Sequence, residues 1–421
     1  MAFATAVSGI KASSQDLGII GNNIANSSTV GFKSSTAQFS DVLAVSLSGG
    51  GQESVGKGVT LSTVQQEFSQ GNISFTSNAL DLAINGSGFF VLSDGGVSAY
   101  SRAGNFHADK DGFIVNDSDK RLQGIQATDN GDLVGRVGDL KIVSGLISPQ
   151  STAEVEIAAN LDARDKPPLL PWGGPFDAFG TPATAPDPDM YNASTSVTVY
   201  DGQGVSHVMS MYFSKSSTLN EWNTHTLIDG VSVSGPDTLT FQDDGQFDPG
   251  SLPINLSVAG WTPLDAAGNP NGAATQGFNI DASRISQLGA DFAVSSVSQD
   301  GFTTGQLRDL EIDSTGIVFA RYTNGQSRQL AQVVLANFSS PSGLRSTAGT
   351  GWAETSESGS PVISVAGTAG LGLLQAGALE DSNVEITEQL VRMIVAQRNF
   401  QANAQVIQAE DSVTQTVINL R

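Results

Sequence analysis

From Asn383 to Leu420 the chain has neither Gly nor Pro, and at 1.5 Å per residue a single helix over that interval runs to roughly 55 Å. On a 100° wheel, Ile386, Leu390, Met393, Ile394, Phe400, Ala404, Ile407 and Ile418 form one apolar stripe. Val391, Val395, Ala402, Val406, Ala409, Val413, Val417 and Leu420 form a second on the opposite side. Arg392, Arg398, Gln401, Asn403, Gln405 and Asn419 lie between the two. A helix on the outside of a globule needs one buried face, and a central core helix would carry fewer polar residues between its stripes. Two stripes therefore predict two partners, one in the same chain and one in neighbouring subunits. The first partner is at the other end, where Phe3, Ile10, Leu17 and Ile24 repeat every seven residues, with Ala6, Val7 and Ile20 on the same side. Residues 3–26 thus suit an amphipathic helix with a coiled-coil-like seam. The expected intrachain seam sets Phe3, Ile10, Leu17 and Ile24 against Ile386, Leu390, Met393, Phe400 and Ile407. The expected intersubunit stripe is Val391, Val395, Val406, Val413, Val417 and Leu420. Ser14, Gly21, Gln397 and Asp411 interrupt the seams, so the isolated pair is marginal in water, and the termini are expected to become fully helical on assembly.

Between the helices the period changes to two. Residues 79–96 and 100–125 alternate apolar and polar positions between Asp, Gly and Asn turns and predict consecutive antiparallel strands. The same pattern returns at 194–215, 222–247, 310–322 and 329–337, the last two joined by the Asn324-Gly325 turn. Residues 164–189 hold much of the proline and predict an irregular surface loop. Residues 34–70, rich in Ser, Gly and Gln, predict a flexible connector. The expected fold class is multidomain, α plus all-β: antiparallel N- and C-terminal helices forming a coiled-coil-like domain (1–33 and 371–421), with two mostly β domains nested in sequence. The inner β domain is 71–148 with 295–370, and the outer one is 149–294.

Composition sharpens this. The chain has 421 residues, 47 of them Gly, and a net charge of -22. Residues 149–294 carry 17 acids and 4 bases. The ends are nearly neutral, which suits termini that crowd together in an assembly around an acidic, water-facing middle. No basic patch offers a surface for nucleic acid or anionic lipid. There is no cysteine, hence no thiolate chemistry. No cleaved secretory signal and no run of about 20 apolar residues is apparent, so membrane insertion is not expected.

Candidate chemistry is thin. Residues 107–118 carry Asp109, Asp111 and Gly112 at calcium-loop spacing but lack the bidentate Glu at position twelve, where Ser118 stands, which favours a hairpin turn. His107, His207 and His225 have no metal-ligand spacing and read as solvated strand or loop residues. Ser8-Gly9-Ile10-Lys11 matches one element of a penicillin-binding pattern without its companions. No spacing marks a carboxylate pair for glycoside hydrolysis. The expectation is no enzyme, no cofactor and no metal.

Two stretches are not anonymous. Residues 21–33, GNNIANSSTVGFK, resemble the N-terminal signature of the bacterial flagellar axial proteins, the rod, hook and hook-filament junction subunits, through Asn22, Asn23, Asn26, Gly31, Phe32 and Lys33. Residues 382–421 resemble the C-terminal signature, most specifically at MIVAQRNFQANAQ with Gln397, Arg398 and Asn399, Phe400 standing where Tyr is commoner. Residues 79–96 and 100–125 resemble a motif pair in the first outer domain of hook and distal-rod proteins, whereas the middle carries no resemblance. The resemblance implies a self-assembling hook subunit, the flexible joint between rod and filament, outside the cell and exported without a cleaved signal. The partners it implies are further copies of the chain, the distal rod protein, the hook-filament junction protein, the hook cap, the flagellar type III export apparatus and the hook-length control protein. A distal rod or junction protein is the alternative within the family. A secreted β-rich adhesin or glycan-binding protein is the alternative outside it.

Overall fold

A computed structural model describes residues 2–42, 56–128, 131–142, 145–248 and 255–419. Two compact units emerge, one of residues 1–144, 308–321 and 327–421, the other of 145–307 and 322–326. The second unit is therefore inserted into the first. Its limits are wider than the outer-domain expectation, because the strand Ala293–Gln299 pairs with Glu154–Asp162 in the same sheet.

In the first unit, helix α1 spans Ala2–Ala25 and helix α2 spans Ile386–Asn419. Both lack Pro, and α2 begins just after Val384, which is buried. Between them in sequence comes a sheet in which Leu307–Ile312, Ile317–Tyr322 and Ser327–Asn337 lead to Arg121–Gln126, Phe89–Asp94, Val97–Ser101, Gly351–Ala353 and Arg345–Thr347. Its core is aromatic. Phe89 lies edge-on to Phe68, Phe338 and Trp352 at ring separations of 5.4, 5.8 and 5.5 Å, a geometry that aligns positive ring edges with negative faces.

Phe68 comes from the stretch expected to be a flexible connector, and the structure corrects that expectation for the residues it describes. Ser35–Asp41 and Val59–Gln66 form an antiparallel ladder, Ser35 opposite Gln66 and Asp41 opposite Val59. The ladder sits beside α1: Ser8 Oγ accepts the Val59 N–H at 3.1 Å, and Gln66 Oε1 accepts the Trp352 indole N–H at 2.6 Å. Composition alone hid these tertiary partners. Residues 43–55 of the expected connector lie outside the described residues.

The second unit is a sandwich of two four-stranded sheets. One is the antiparallel meander Ala193–Tyr200, Ser206–Lys215, Glu221–Ile228 and Val231–Thr240. The other runs Asn255–Trp261, Gln276–Leu288, Glu154–Asp162, Ala293–Gln299, with the middle two strands parallel. Glu154–Asp162 alternates strictly, with Val155, Ile157, Ala159 and Leu161 buried, and these join Met209, Met211, Phe213, Trp222 and Ile280 in one core. The buried Trp222 donates its indole N–H to Gln287 Oε1 at 2.8 Å, tying the two sheets together. Trp222→Ala would leave both a large cavity and a Gln287 amide oxygen without its donor, and should cost the second unit about 3–5 kcal/mol. Hydrogen exchange should then quicken across 193–240 while amides at 89–101 keep their protection.

Candidate assembly site

The N-terminal signature closes a polar knot. After α1 ends, Asn26 holds a turn by donating from Nδ2 to Asn22 O at 2.9 Å and accepting the Thr29 hydroxyl at 3.2 Å. Gly31 follows with φ +67°, and a Cβ there would lie 2.3 Å from the backbone N of Ala103, so only glycine fits both the conformation and the approach. Its N–H donates to Glu380 O at 2.7 Å. Phe32 is half-buried beyond it.

Lys33 then turns into the protein. Its ammonium, fully buried, lies 2.7 Å from Glu380 Oε1 and donates to Ser69 O at 2.6 Å. Arg102 Nη1 approaches the other Glu380 oxygen at 3.1 Å, and its Nη2 donates to Gly86 O at 2.9 Å. Gly71 N–H also donates to Glu380 Oε1. Burial lowers the Lys33 and Arg102 pKa values, and Glu380 offsets part of that in each case. Asn383, three residues on, accepts the Ser34 N–H at 2.7 Å and donates to Glu67 O at 2.8 Å. Both helices are thus fixed to the β part of their unit through one cluster. Glu380→Gln would leave two buried cations without a counter-charge and should destabilise the first unit by about 3–5 kcal/mol. Lys33→Met, which keeps the Glu380–Arg102 pair, should cost less; denaturant unfolding of the two variants reads the order.

The helix pair differs in detail from the apolar seam expected. Met393 and Ile407 are half-buried, as are Ile10, Leu17 and Ile24 on α1, whereas Phe400 is 37% exposed. Ile386 and Leu390, however, are 50% and 46% exposed, and Phe3 is 56% exposed. In place of Ile386 and Leu390, α2 turns Gln389 and Ala396 inward, both buried. Asn403, expected between stripes, lies against Gly9. The physical reason is the matching heptad 389, 393, 396, 400, 403, 407, which keeps one face towards α1 even though half its members are polar or small. Asn23 holds the base of the pair: its amide donates to Ser35 O at 2.8 Å and to Gln389 Oε1 at 3.2 Å, and its Oδ1 accepts the Ser35 N–H.

The opposite face of α2 is open in the single chain. Val391, Val395, Val406 and Val413 are all substantially exposed, as is Ile394; Ile418 is exposed too, but on the α1-facing side further along the helix. Gln397, Arg398 and Asn399 are exposed on the same helix. Leu420 lies outside the described residues, and only the backbone of Val417 is described. Among the described residues no helix is long and apolar enough to cross a membrane.

The remaining candidates have structural employment. Asp109 Oδ1 accepts the N–H groups of Asp111 and Phe113, each at 2.8 Å, the local bonding of a hairpin turn. His107 is exposed, but His207 and His225 are buried, not solvated. His207 Nδ1 lies 2.6 Å from Asp229 Oδ2, and its Nε2 lies 3.5 Å from Asp201 Oδ2 without a hydrogen bond. Burial pulls its pKa down, yet the two carboxylates outweigh burial and the net shift is upward from 6.5. His225 stacks on Trp172 at 4.0 Å, and burial lowers its pKa to about 4 against a weaker pull from Asp237. The signs are opposite. His207 contributes stability that is complete below pH 6.5 and is lost as pH rises through its raised folded pKa. His225 costs stability as pH falls from 6.5 towards about 4, because only the unfolded chain takes up its proton. From these two groups the second unit should be most stable near pH 6.5, His207→Gln flattening the alkaline side and His225→Phe the acid side of a stability-pH curve.

Comparison with known proteins places these elements in a class. Four family models match in chain order: Flagella basal body rod protein at 3–33, Flagellar hook protein FlgE/F/G D1 domain at 83–160, Flagellar basal body protein FlaE D2 domain at 160–302, and Flagellar basal body rod FlgEFG protein C-terminal at 375–420. The paired termini and nested β units are those of a flagellar axial subunit. The middle, where no sequence motif carries the resemblance, thus also matches a family domain. The flagellar hook protein FlgE of Escherichia coli (strain K12) is 37% identical over 430 residues, covering 100% of both chains, and that of Borreliella burgdorferi is 33% identical over 99% of this chain and 98% of the relative. The solved Helicobacter pylori flagellar hook protein FlgE2, 16% identical, shares the fold at a TM-score of 0.51 over 73% of this chain and 100% of that one. The chain belongs to the flagellar hook protein family.

Proposed function

We propose that this structural subunit polymerises into the flagellar hook through the open face of α2, with α1 and α2 forming the part that resists twisting and the acidic β units the part that lets neighbours slide. The observation that carries the reading is the row Val391, Val395, Val406 and Val413, exposed along a helix whose other face is already taken by α1. Large apolar side chains repeated on one exposed face mark an interaction surface, and the near-neutral ends make copies of that face compatible. The sliding role rests on charge: a net-negative, polar surface favours wet contacts with low barriers.

In this reading the chain's partners are other copies of itself, the distal rod protein at one end of the polymer, the hook-filament junction protein at the other, and the cap, export apparatus and length-control protein during assembly outside the cell. Export without a cleaved signal belongs to the same proposal. The terminal family models are shared with rod proteins, but the hook-protein relatives match along the whole chain, the middle included, which supports the hook reading over a rod, junction or adhesin one. Val406→Asp with Val413→Asp would set charges into an apolar contact at a cost of several kcal/mol per subunit. Cells carrying that variant should make no hooks visible by electron microscopy, while circular dichroism of the purified chain keeps its β signal. Hooks of normal length and curvature would remove the open face of α2 from the mechanism.

A further inference from the structure

The α1–α2 seam is poor in large apolar side chains, so hydrophobic burial alone does little to choose how far one helix slides along the other. The inward positions on α1 include Ala6, Gly9, Ser13 and Asn23 with one large apolar residue, Ile20, and those on α2 are Gln389, Ala396 and Asn403 with Met393 half-buried beside them. Two contacts nevertheless fix a single alignment. Asn23 Nδ2 donates to Gln389 Oε1 at 3.2 Å in a buried setting, and a Cβ placed on Gly9 would lie 2.6 Å from Asn403 Oδ1. The Asn403 amide therefore fills the gap that glycine leaves, while its Nδ2 donates to Asn399 O at 2.9 Å.

These two contacts are not independent in spacing. Fourteen residues separate Gly9 from Asn23 and fourteen separate Gln389 from Asn403, so both contacts belong to the same antiparallel alignment, two heptads apart. Stepped through the heptad positions 9, 13, 16, 20 and 23 on α1 and 403, 400, 396, 393 and 389 on α2, that alignment sets Ser13 against Phe400, Asp16 against Ala396 and Ile20 against Met393. A slip of one heptad keeps a mixed seam but sets Asn403 opposite Asp16 and removes Gln389 from Asn23. A buried amide in a helix seam fixes register at a cost in stability, because a displaced one loses its hydrogen bond or its space.

We propose that the Gly9–Asn403 and Asn23–Gln389 layers set the register of α1 on α2, and through it which α2 side chains remain open to neighbouring subunits. Only that last clause rests on the assembly reading above; the register itself does not. A seam built this way is specific without being strong.

The chain has no cysteine, so disulfide trapping reads the register directly on the purified full-length protein. Ser13→Cys with Phe400→Cys reports the observed alignment, and Ile20→Cys with Phe400→Cys reports a slip of one heptad. In the otherwise unchanged chain the first pair should form its intrachain disulfide at least tenfold faster than the second. Gln389→Leu with Asn403→Leu, which removes both amides but keeps good helix formers, should cut that ratio at least threefold with helical content unchanged. Gly9→Leu should do the same by closing the gap, and Gly9→Asn with Asn403→Gly should restore the ratio. An unchanged ratio in the double-leucine chain would overturn the proposal, and so would a loss of helix in it, since the amides would then supply stability and not register. A shifted ratio with normal hooks would leave the register assignment standing and count against the open-face reading of assembly.

Discussion

The way the two helices join the sheet of the first unit depends on one carboxylate. Glu380 is buried together with Lys33, and Arg102 is nearly so, and a charge removed from water is tolerated only when its partners are in place. Those partners come from the turn after α1, the residue following the Val97–Ser101 strand, and the backbone at Ser69 and Gly71. Four separate stretches must therefore converge before any one of them is satisfied. The cluster has two cations for one anion, so carbonyl oxygens at Ser69 and Gly86 supply the remaining negative potential. That arrangement favours geometry over strength: hydrophobic replacement could be as stable, but it would not demand a single way of joining the helices to the sheet.

The helix pair continues the same logic by other means. Its inward face trades large apolar residues for amides and small side chains, and its outward face keeps the valines. An apolar seam facing α1 and a polar outer face would make a more stable monomer with nothing to offer a neighbour. The distribution found places the weaker, more selective contacts inside the chain and leaves the non-directional ones for contact between chains.

Much of this architecture was legible in the sequence. The length of α2 follows from an interval without Gly or Pro, and the hairpin of Ala193–Tyr200 with Ser206–Lys215 follows from the alternation at 194–215, whereas the strand Glu154–Asp162 escaped notice although it alternates strictly. The seam was read only in part, because Gln389 and Asn403 score as polar on any wheel although geometry turns them inward. The Ser35–Gln66 ladder escaped because its Ser- and Gln-rich composition is that of a linker, and the surfaces that hold it belong to α1 and Trp352. Glu380 and Arg102 left no local trace at all: 278 residues separate the two, and nothing near either one distinguishes it from an ordinary surface charge. His207 and His225 were placed in solvent for the same reason, their aromatic and carboxylate surroundings being assembled from other strands.

The parallel pairing of Glu154–Asp162 with Gln276–Leu288 has a consequence for the order of folding. The chain between these strands contains the whole antiparallel meander, whose hairpins close over a few residues each. Local closures are fast, whereas joining strands more than a hundred residues apart carries a loop entropy that grows with the logarithm of length. The meander is accordingly the early structure and the parallel pair the late one, docking onto a sheet that already presents Met209, Met211 and Phe213. Until that step the inserted segment behaves as a long excursion from the first unit, whose own ends meet later still.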